Sequence, residues 1–518
     1  MSKLAAPYSP AARHTRRNPS QEELRRLTAA MPTARLTAYD NYNVRTKALA
    51  RSVRSTYLIT DDPGTTSSQT ISSGEGRRVA ELQEEYLLGQ DVIVIDGYVN
   101  NDPEFRSPAR LVIEEAGANI AGMQDYLLFK DGDPGEDFEP EFTVIYSPKL
   151  SMPGYPDDRL IAVDLERGIT RVFNSDYFGE SKKGLLRMWN KLVYDRGGLA
   201  LHAGCKVIPT DKGEKTILIV GLSGTGKTTT TFTRQNDSKP VQDDFVALMP
   251  GGKVYGSENG CFAKTYALSA EDEPTIHGAV TSPSAYLENV SQKEVGGEVD
   301  FFDQSYTQNG RAVFPMEALG WSKDARGIAP VSSLLLLNRN DGVIPAVARL
   351  SVEQAAAYFM LGETRGTAAG GAAEAGKSLR VPGTNPFFPL LQAQQGNRFR
   401  DLHRSADFRV YLLNTGWVGG GPDDSRAKKI RIHDSSSVVK AIAEGTIRWE
   451  VDPDFGYEVA TAVPGIEDLE IIQPRRLYGR QGRMAEHQAT VQRLRQERAD
   501  YLATFPGLDP EILRAVAG

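Results

Sequence analysis

The pattern of apolar and polar positions predicts strands that alternate with helices along much of the chain. Ser20 followed by Glu23 is typical of a helix start, so a short helix is expected over 21–30. Short apolar runs of strand length alternate further on with segments of helical period. The expected strands are 92–95, 142–146, 160–163 and 216–220, and the expected helices are 79–88, 109–118 and 185–194. This interleaving indicates an α/β or α+β first half and a second unit that begins near residue 198.

The same pattern predicts four segments. They are a flexible arm over 1–20, an N-terminal α/β domain over 21–197, a C-terminal domain over 198–483, and a helical tail over 484–518. Residues 364–376 read TRGTAAGGAAEAG, which is too rich in small residues to pack a core. We interpret this stretch as a moving lid or a linker.

Composition narrows the class of protein. Hydrophobic residues make up 40% and charged residues 25% of the 518 positions, which excludes global disorder. A net charge of -7 argues against a dedicated binder of nucleic acid or anionic membrane, and no apolar run approaches the roughly 20 residues that cross a bilayer. Only Cys205 and Cys261 are present, which fits a reducing compartment. We therefore expect a cytoplasmic enzyme, monomeric or a small homo-oligomer, without nucleic-acid or membrane partners.

A phosphate-binding loop is the most specific motif. The segment 221–228 reads GLSGTGKT and follows the expected strand 216–220. Glycines at this spacing let successive backbone N–H groups point at a phosphate, and a structural glycine turn is the competing interpretation. Lys227 would reach the β- and γ-phosphates, and the Thr228 hydroxyl would meet Mg²⁺. The predicted nucleotide-binding residues here are Gly221, Leu222, Ser223, Gly224, Thr225, Gly226, Lys227, Thr228 and Thr229.

Other polar residues become informative only in combination. Asp243 and Asp244 follow the loop by fifteen residues, where an acidic residue commonly holds the metal of a nucleotide, although such a pair is often an exposed turn. His202 alone is typical of a core or surface position, and the neighbouring Lys182 and Lys183 are typical of a solvated face.

Together these segments resemble the ATP-dependent phosphoenolpyruvate carboxykinase family. The resemblance covers about residues 50–480 and rests on an ordered series of motifs: YFGESKKG at 177–184, LALHAGC at 199–205, GLSGTGKTT at 221–229, DD at 243–244, ENGCFAKT at 258–265, YLENV at 286–290, IPAVARL at 344–350, NTGWVGG at 414–420 and KKIRIHDS at 428–435. It implies an α/β fold of two domains, a substrate domain over 21–197 and a nucleotide-binding and catalytic domain over 198–483. The phosphate loop would lie in this C-terminal mononucleotide-binding domain, and the active site in the cleft between the domains.

The resemblance also implies a reaction. Oxaloacetate and ATP would give phosphoenolpyruvate, CO₂ and ADP, a gluconeogenic or anaplerotic step. Mg²⁺ would accompany the nucleotide, and a second ion, usually Mn²⁺, would act at the substrate. Loss of CO₂ would leave an enolate whose oxygen attacks the γ-phosphate in line.

Metal and catalytic residues follow by position in the motifs. Lys183, His202 and Asp244 would ligate the substrate-side metal, which requires Lys183 to be neutral, and Thr228 would contact Mg²⁺. The implied catalytic set is Lys183, Lys227, Lys264 and Arg311. Lys264 and Arg311 would offset the charge that accumulates on the transferred phosphoryl group.

Substrate and base contacts follow in the same way. Arg51, in ARSVRSTYLI, would hold a carboxylate of oxaloacetate through the planar fork of its guanidinium. Tyr177 would edge the same pocket, and Lys183 and Arg311 would also contact the substrate. Adenine would lie near three further nucleotide-binding residues, Lys429, Ile430 and Ser435.

Three departures from the family pattern keep alternatives open. Residues 245–248 read FVAL where the family has E-H-G-W, ARSVRST replaces G-R-S-P-K-D-K, and the lid segment from Gly362 onward differs. A changed lid favours a different phosphoryl acceptor. The alternatives are a kinase on the same scaffold that phosphorylates another small molecule or a protein, and an ATP-binding regulator without chemistry.

Overall fold

The computed structural model describes residues 11–130, 135, 137–222, 224–365 and 378–516. Ser223 and most of the predicted lid or linker, 366–376, lie outside the described residues. The chain forms two compact units. Unit 1 comprises Met1–Asp195, Ser257–Ser322 and Phe387–Leu390, and unit 2 comprises Arg196–Gly256, Lys323–Pro386 and Leu391–Gly518.

Helices and strands are numbered in chain order. The helices are α1 Gln21–Ala29, α2 Ser73–Leu87, α3 Ala118–Leu127, α4 Gly179–Asp195, α5 Lys227–Phe232, α6 Pro274–Val280, α7 Val352–Leu361, α8 Gln392–Ser405, α9 Ile432–Glu444, α10 Leu469–Ile472, α11 Pro474–Arg480, α12 Met484–Ala503 and α13 Pro510–Arg514. The strands of the first 195 residues are β1 His14–Arg17, β2 Ala34–Leu36, β3 Tyr42–Val44, β4 Thr56–Ile59, β5 Thr70–Ile71, β6 Asp91–Val99, β7 Ser107–Glu114, β8 Phe142–Ser147, β9 Leu160–Asp164 and β10 Ile169–Phe173.

The later strands contribute to both units. They are β11 Leu199–Thr210, β12 Gly213–Val220, β13 Lys239–Gln242, β14 Phe245–Leu248, β15 Val254–Gly256, β16 Gly260–Lys264, β17 Tyr286–Glu288, β18 Ser291–Gln292, β19 Val299–Asp300, β20 Arg311–Pro315, β21 Val331–Asn338, β22 Val347–Leu350, β23 Glu363–Arg365, β24 Ser378–Arg380, β25 Arg409–Asn414, β26 Trp417–Val418, β27 Lys428–Lys429, β28 Arg448–Val451 and β29 Glu458–Ala462.

Unit 1 contains two mixed sheets. One has the order β1-β6-β7-β8-β10-β9-β4-β5, and the other has the order β16-β20-β17-β3-β2. Helix α4 approaches the larger sheet closely at Gly184, where a Cβ would lie 3.0 Å from Thr170 Cγ2 and 3.1 Å from Val144 Cγ2. The absence of a side chain at this position therefore lets α4, which carries the predicted lysine pair, lie against the sheet.

Unit 2 is built on a sheet with the order β15-β14-β11-β12-β21-β25-β22-β29-β28, and β13 pairs with β11 at its side. Strands β12, β21 and β25 are parallel neighbours. Their alternate apolar side chains pack in one buried cluster with apolar residues of α9. Because β12 is buried and central, the loop that follows its carboxyl end is fixed at the edge of the sheet where ligands bind in open α/β folds.

The α/β fold class is confirmed, and most of the predicted elements are present. Helix α1 begins after Ser20, whose side chain accepts from the Glu23 N–H as expected. The helix predicted over 109–118 is wrong, because Ser107–Glu114 is strand β7. Strand β7 pairs with β6 on one side and β8 on the other, and these long-range pairs outweigh the local helical pattern.

The segment boundaries differ from the expected ones in three ways. The break at Asp195 and Arg196 lies next to the predicted boundary, but Ser257–Ser322 belongs to unit 1. His14–Arg17, within the expected arm, forms β1 and pairs with β6. The expected tail contains α12, whose Arg498 side chain is fully buried. Sequence period reports local structure only, so it does not show which unit a segment joins.

No helix in the described part of the chain combines the length and apolar character that a membrane span requires.

Candidate active site

The phosphate loop lies between β12 and α5 of unit 2. Gly226 precedes α5 in the left-handed conformation, with φ at 93°, which a residue with a Cβ adopts only with strain. Gly221 has no room for a side chain, because a Cβ would lie 2.5 Å from Thr225 Oγ1. The glycines of the motif are thus required by the shape of the loop, as the spacing predicts.

Two residues outside the motif hold the loop in place. Arg339, directly after β21, donates to the Gly224 carbonyl at 2.9 Å. Thr415, directly after β25, donates to the Thr225 carbonyl at 2.8 Å. Sequence analysis missed both roles, although Thr415 stands in the NTGWVGG motif. These bonds occupy loop carbonyl groups, which leaves the loop to present N–H groups to a phosphate.

Asp244 links the loop to His202. Its Oδ1 atom lies 2.6 Å from Lys227 Nζ and 2.8 Å from His202 Nε2. His202 lies on β11 opposite Phe245, and the two rings stack with centroids 5.1 Å apart. The other ring nitrogen, Nδ1, lies 2.9 Å from the Thr384 carbonyl oxygen. Two of the three expected metal ligands and the phosphate-loop lysine therefore meet at one carboxylate.

This arrangement fits a divalent cation. A carbonyl oxygen can only accept a hydrogen bond, so His202 Nδ1 carries a hydrogen. In the neutral ring the Nε2 lone pair would then face the Asp244 carboxylate oxygen, and a proton or a cation between the two atoms would remove their repulsion. Imidazole nitrogen and carboxylate oxygen are both common ligands of divalent metal ions. Among the described residues, no group of three or more His, Cys, Asp or Glu could hold a metal. Lys183 on α4 stays the predicted third ligand.

A second set of site residues gathers around Phe262 on β16 of unit 1. The Arg311 guanidinium lies 5.0 Å from the ring centroid, and Lys182 Nζ lies 5.6 Å from it. Tyr177 adds a tilted ring at 6.3 Å. Sequence analysis did not single out Phe262, because an aromatic residue in a buried strand has no distinguishing pattern. Its electron-rich face lets cations approach one another more closely than they otherwise would.

Lys264 lies opposite Arg311 where β16 pairs with β20. Burial, reinforced by the Arg311 charge, lowers the pKa of Lys264 to about 8. The side chain is thus still mostly protonated near pH 7. The antiparallel register explains why two residues almost fifty positions apart act as the neighbouring pair that the motifs imply.

Hydrogen bonds hold Arg311 and Tyr177 in place. Asn309 Oδ1 accepts from Arg311 Nη2 at 2.8 Å, and Asn309 Nδ2 donates to the Leu49 carbonyl at 2.7 Å. The Tyr177 carbonyl accepts from the Tyr146 hydroxyl at 2.8 Å. Asn309 connects the Arg311 strand to the segment just before Arg51. The position of Asn309 two residues before Arg311 is the sequence signal that could have indicated this role.

Arg51 and Lys183 face a common ring, that of Phe387. Arg51 lies 5.4 Å and Lys183 Nζ 4.6 Å from its centroid. Glu180, one turn before Lys183 on α4, accepts from the Ser52 N–H at 2.5 Å and so fixes the residue next to Arg51. The structure thus places Arg51 and Lys183 at one ring, and adds Glu180 and Phe387 beside them.

The predicted adenine contacts lie on β27 and α9 of unit 2. Lys429 is exposed and pairs with Trp417, and Ser435 is half-buried in the first turn of α9. Ile430 is only 3% exposed and packs in the apolar cluster, so its side chain serves the core. Base contact by these residues stays a prediction.

The comparison with known proteins decides the family. The family model for phosphoenolpyruvate carboxykinase matches residues 13–469. This protein belongs to that family. The phosphoenolpyruvate carboxykinase (ATP) of Rhodopseudomonas palustris (strain TIE-1) is 30% identical over 417 residues, 79% of this chain and 76% of that protein. That of Nitrobacter hamburgensis is 33% identical over 394 residues, 74% of this chain and 72% of its own. That of Shouchella clausii is 29% identical over 450 residues, 85% and 82% of the two chains.

One departure from the carboxykinase pattern now has a structural explanation. Residues Phe245–Leu248, which replace E-H-G-W, form strand β14 with every side chain buried. Strand β14 lies between β11 and β15, so an apolar run suits the core at this place. The substitution leaves Asp244 in position and changes the groups beside it, with the Phe245 ring against His202.

Proposed function

We propose that the protein, like its family, converts oxaloacetate and ATP to phosphoenolpyruvate, CO₂ and ADP. The observation that carries this proposal is the position of Asp244, whose carboxylate contacts both the predicted metal ligand His202 and the phosphate-loop lysine Lys227. A carboxylate shared in this way suits a reaction in which an ion at the substrate and a triphosphate act side by side.

Residues of unit 1 would bind the substrate and prepare it for decarboxylation. Arg51 would clasp one carboxylate of oxaloacetate, because a guanidinium gives two parallel hydrogen bonds to that group. Breaking the bond to the departing carboxylate releases CO₂ and moves the electron pair to the keto oxygen. A divalent ion held by Lys183, His202 and Asp244 would supply positive charge at that oxygen when bound.

Phosphoryl transfer would follow at the phosphate loop. The enolate oxygen attacks the γ-phosphorus, and the bond from that phosphorus to the oxygen of ADP breaks, so atoms and charge balance without a proton donor. The loop N–H groups and Lys227 would hold the β- and γ-phosphates, and the Thr228 hydroxyl would meet Mg²⁺. Lys264 and Arg311 would offset charge on the transferred group.

The decisive experiment measures phosphoenolpyruvate and CO₂ formed from oxaloacetate by purified protein with ATP, Mg²⁺ and Mn²⁺. We expect product from the wild type, a loss in His202→Ala, and no loss in the control His14→Ala, whose side chain is exposed on β1. ATP turnover that ignores oxaloacetate would favour the kinase alternative instead. Absence of both activities, with ATP still bound, would favour the regulator. The expected cytoplasmic location and small oligomeric state stay predictions from the sequence.

A further inference from the structure

A second guanidinium group, that of Arg187, lies beside Arg51 and Lys183 in the predicted substrate pocket. Arg187 is four residues after Lys183 on α4, so the two side chains share a helix face. The Arg187 guanidinium lies 5.5 Å from the centroid of the Phe387 ring, the same ring that Arg51 and Lys183 face. No motif in the sequence marks Arg187.

Arg187 is buried without a complete set of acceptors. The residue is 7% exposed, and its Nη1 atom has no hydrogen-bond partner within the described part of the chain. Burial has the largest effect on the pKa of Arg187 and lowers it, and the Arg51 charge lowers it as well. A buried guanidinium with an unsatisfied N–H is costly, so it is typical of a group that a ligand completes.

Two guanidinium groups repel each other beside the Phe387 ring. Glu180 is the carboxylate whose charge acts on Arg187, and its Oε1 atom is already engaged by the Ser52 N–H. The guanidinium groups of Arg187 and Arg51 approach the same ring, where like charges repel. The Phe387 ring offsets only part of their repulsion, because its attraction is that of a quadrupole. An anion would therefore stabilise the arrangement.

We propose that Arg187 binds a substrate carboxylate alongside Arg51, so that the pocket takes dicarboxylates in preference to monocarboxylates. The inference rests on the proposed function, since oxaloacetate carries two carboxylates, and it deepens that function by naming a residue that selects the substrate class. A guanidinium pair provides enough donors for two carboxylate groups, whereas Arg51 alone provides donors for one in the bidentate mode.

The competing role for Arg187 is structural, as a counter-charge for Glu180. The two roles separate in the double variant Arg187→Met with Glu180→Gln, because the amide oxygen of Gln can still accept from Ser52. If Arg187 only neutralises Glu180, the double variant recovers the ligand affinity that Arg187→Met loses. If Arg187 binds the ligand, the double variant stays as weak as the single one.

Calorimetric binding of malonate and pyruvate tests the proposal without requiring turnover. We expect Arg187→Met to weaken malonate binding about tenfold to a hundredfold, the loss of one charged hydrogen-bonding partner, and to change pyruvate binding far less. Arg187→Lys, which keeps the charge but not the fork, should fall in between and also guards against a fold defect. The matched control is Arg167→Met, an exposed arginine of the same unit. In turnover, KM for oxaloacetate should rise while KM for ATP stays unchanged.

The outcomes separate this proposal from the proposed function. If Arg187→Met selectively loses malonate binding while the wild-type protein makes no phosphoenolpyruvate, the carboxykinase reaction is refuted and the role of Arg187 is supported. Unchanged malonate binding in Arg187→Met and Arg187→Lys, or full recovery in the double variant, would overturn that role even if phosphoenolpyruvate is formed.

Discussion

Replacing Arg498 by Met should destabilise unit 2, because this side chain of α12 is fully buried against Glu363. Its Nε donates to Glu363 Oε1 at 3.0 Å and its Nη2 donates to Oε2 at 2.7 Å, and Nη1 donates to the Tyr358 hydroxyl at 3.0 Å. Removing one partner of a buried ion pair costs about 3–5 kcal/mol. Arg380 also contacts Glu363 Oε1, at 3.0 Å, so we expect the lower end, about 3 kcal/mol.

Urea unfolding measured for Arg498→Met, Glu363→Gln and the double variant gives the coupling energy. The matched control is Arg493→Met on the same helix, an exposed arginine paired with Glu497, which should change the free energy of unfolding by less than about 0.5 kcal/mol. The Arg498 charge lowers the pKa of Glu363 despite burial. The stabilisation that ionised Glu363 gives the folded state is therefore present above the ordinary carboxyl pKa and is lost as pH falls. Glu363→Gln should remove this pH dependence. A loss in Arg498→Met no larger than in the control would refute the reasoning.

Three further predictions concern buried ionisable side chains, those of Lys206, Lys264 and Glu288. Lys206→Met should lower the free energy of unfolding by about 3 kcal/mol, because Lys206 Nζ makes three buried hydrogen bonds of about 1 kcal/mol each. Their acceptors are the carbonyls of Thr230 and Thr233 and the side chain of Gln235, and urea unfolding measures the loss. Turnover should fall as pH rises through about 8, where Lys264 loses its proton, and Lys264→Arg should move that fall upward; a pH-rate profile unchanged by the substitution would contradict this role. Burial raises the pKa of Glu288 to about 8, because the folded protein disfavours the charged carboxylate. The folded state is therefore most stable below the ordinary carboxyl pKa, and it loses stability as pH rises from there to about 8. Glu288→Gln should flatten stability between pH 5 and 8, and an unaltered slope in thermal unfolding would count against it.

The sequence predicted well those features that local patterns determine. The phosphate loop follows from the spacing of Gly221, Gly226 and Lys227, because each glycine answers a local steric demand. Helix α1 follows from its Ser20 cap. Strand β7 was missed because its pairs with β6 and β8 are long-range and leave no mark on local period.

Motifs could predict several charged residues of the candidate site, but not the groups that contact them. Motif resemblance supplied Arg51, Lys183 and Arg311, whose chemistry is specific. Phe262 and Asn309 act only through contacts made by folding, so no one-dimensional pattern distinguishes them. Arg187 was missed for the same reason, since an arginine inside a helical run is typical of a solvated face.

The interleaving of the two units along the chain has a consequence for synthesis and engineering. The polypeptide passes from one unit to the other at 195/196, 256/257, 322/323, 386/387 and 390/391. Synthesis must therefore reach Leu390 before all segments of unit 1 are present. By then much of unit 2 has already been synthesised. A gene cut at any single codon yields two fragments of which at least one holds pieces of both units. Attempts to express either half alone, or to graft it onto a homologue, should use several junctions at once.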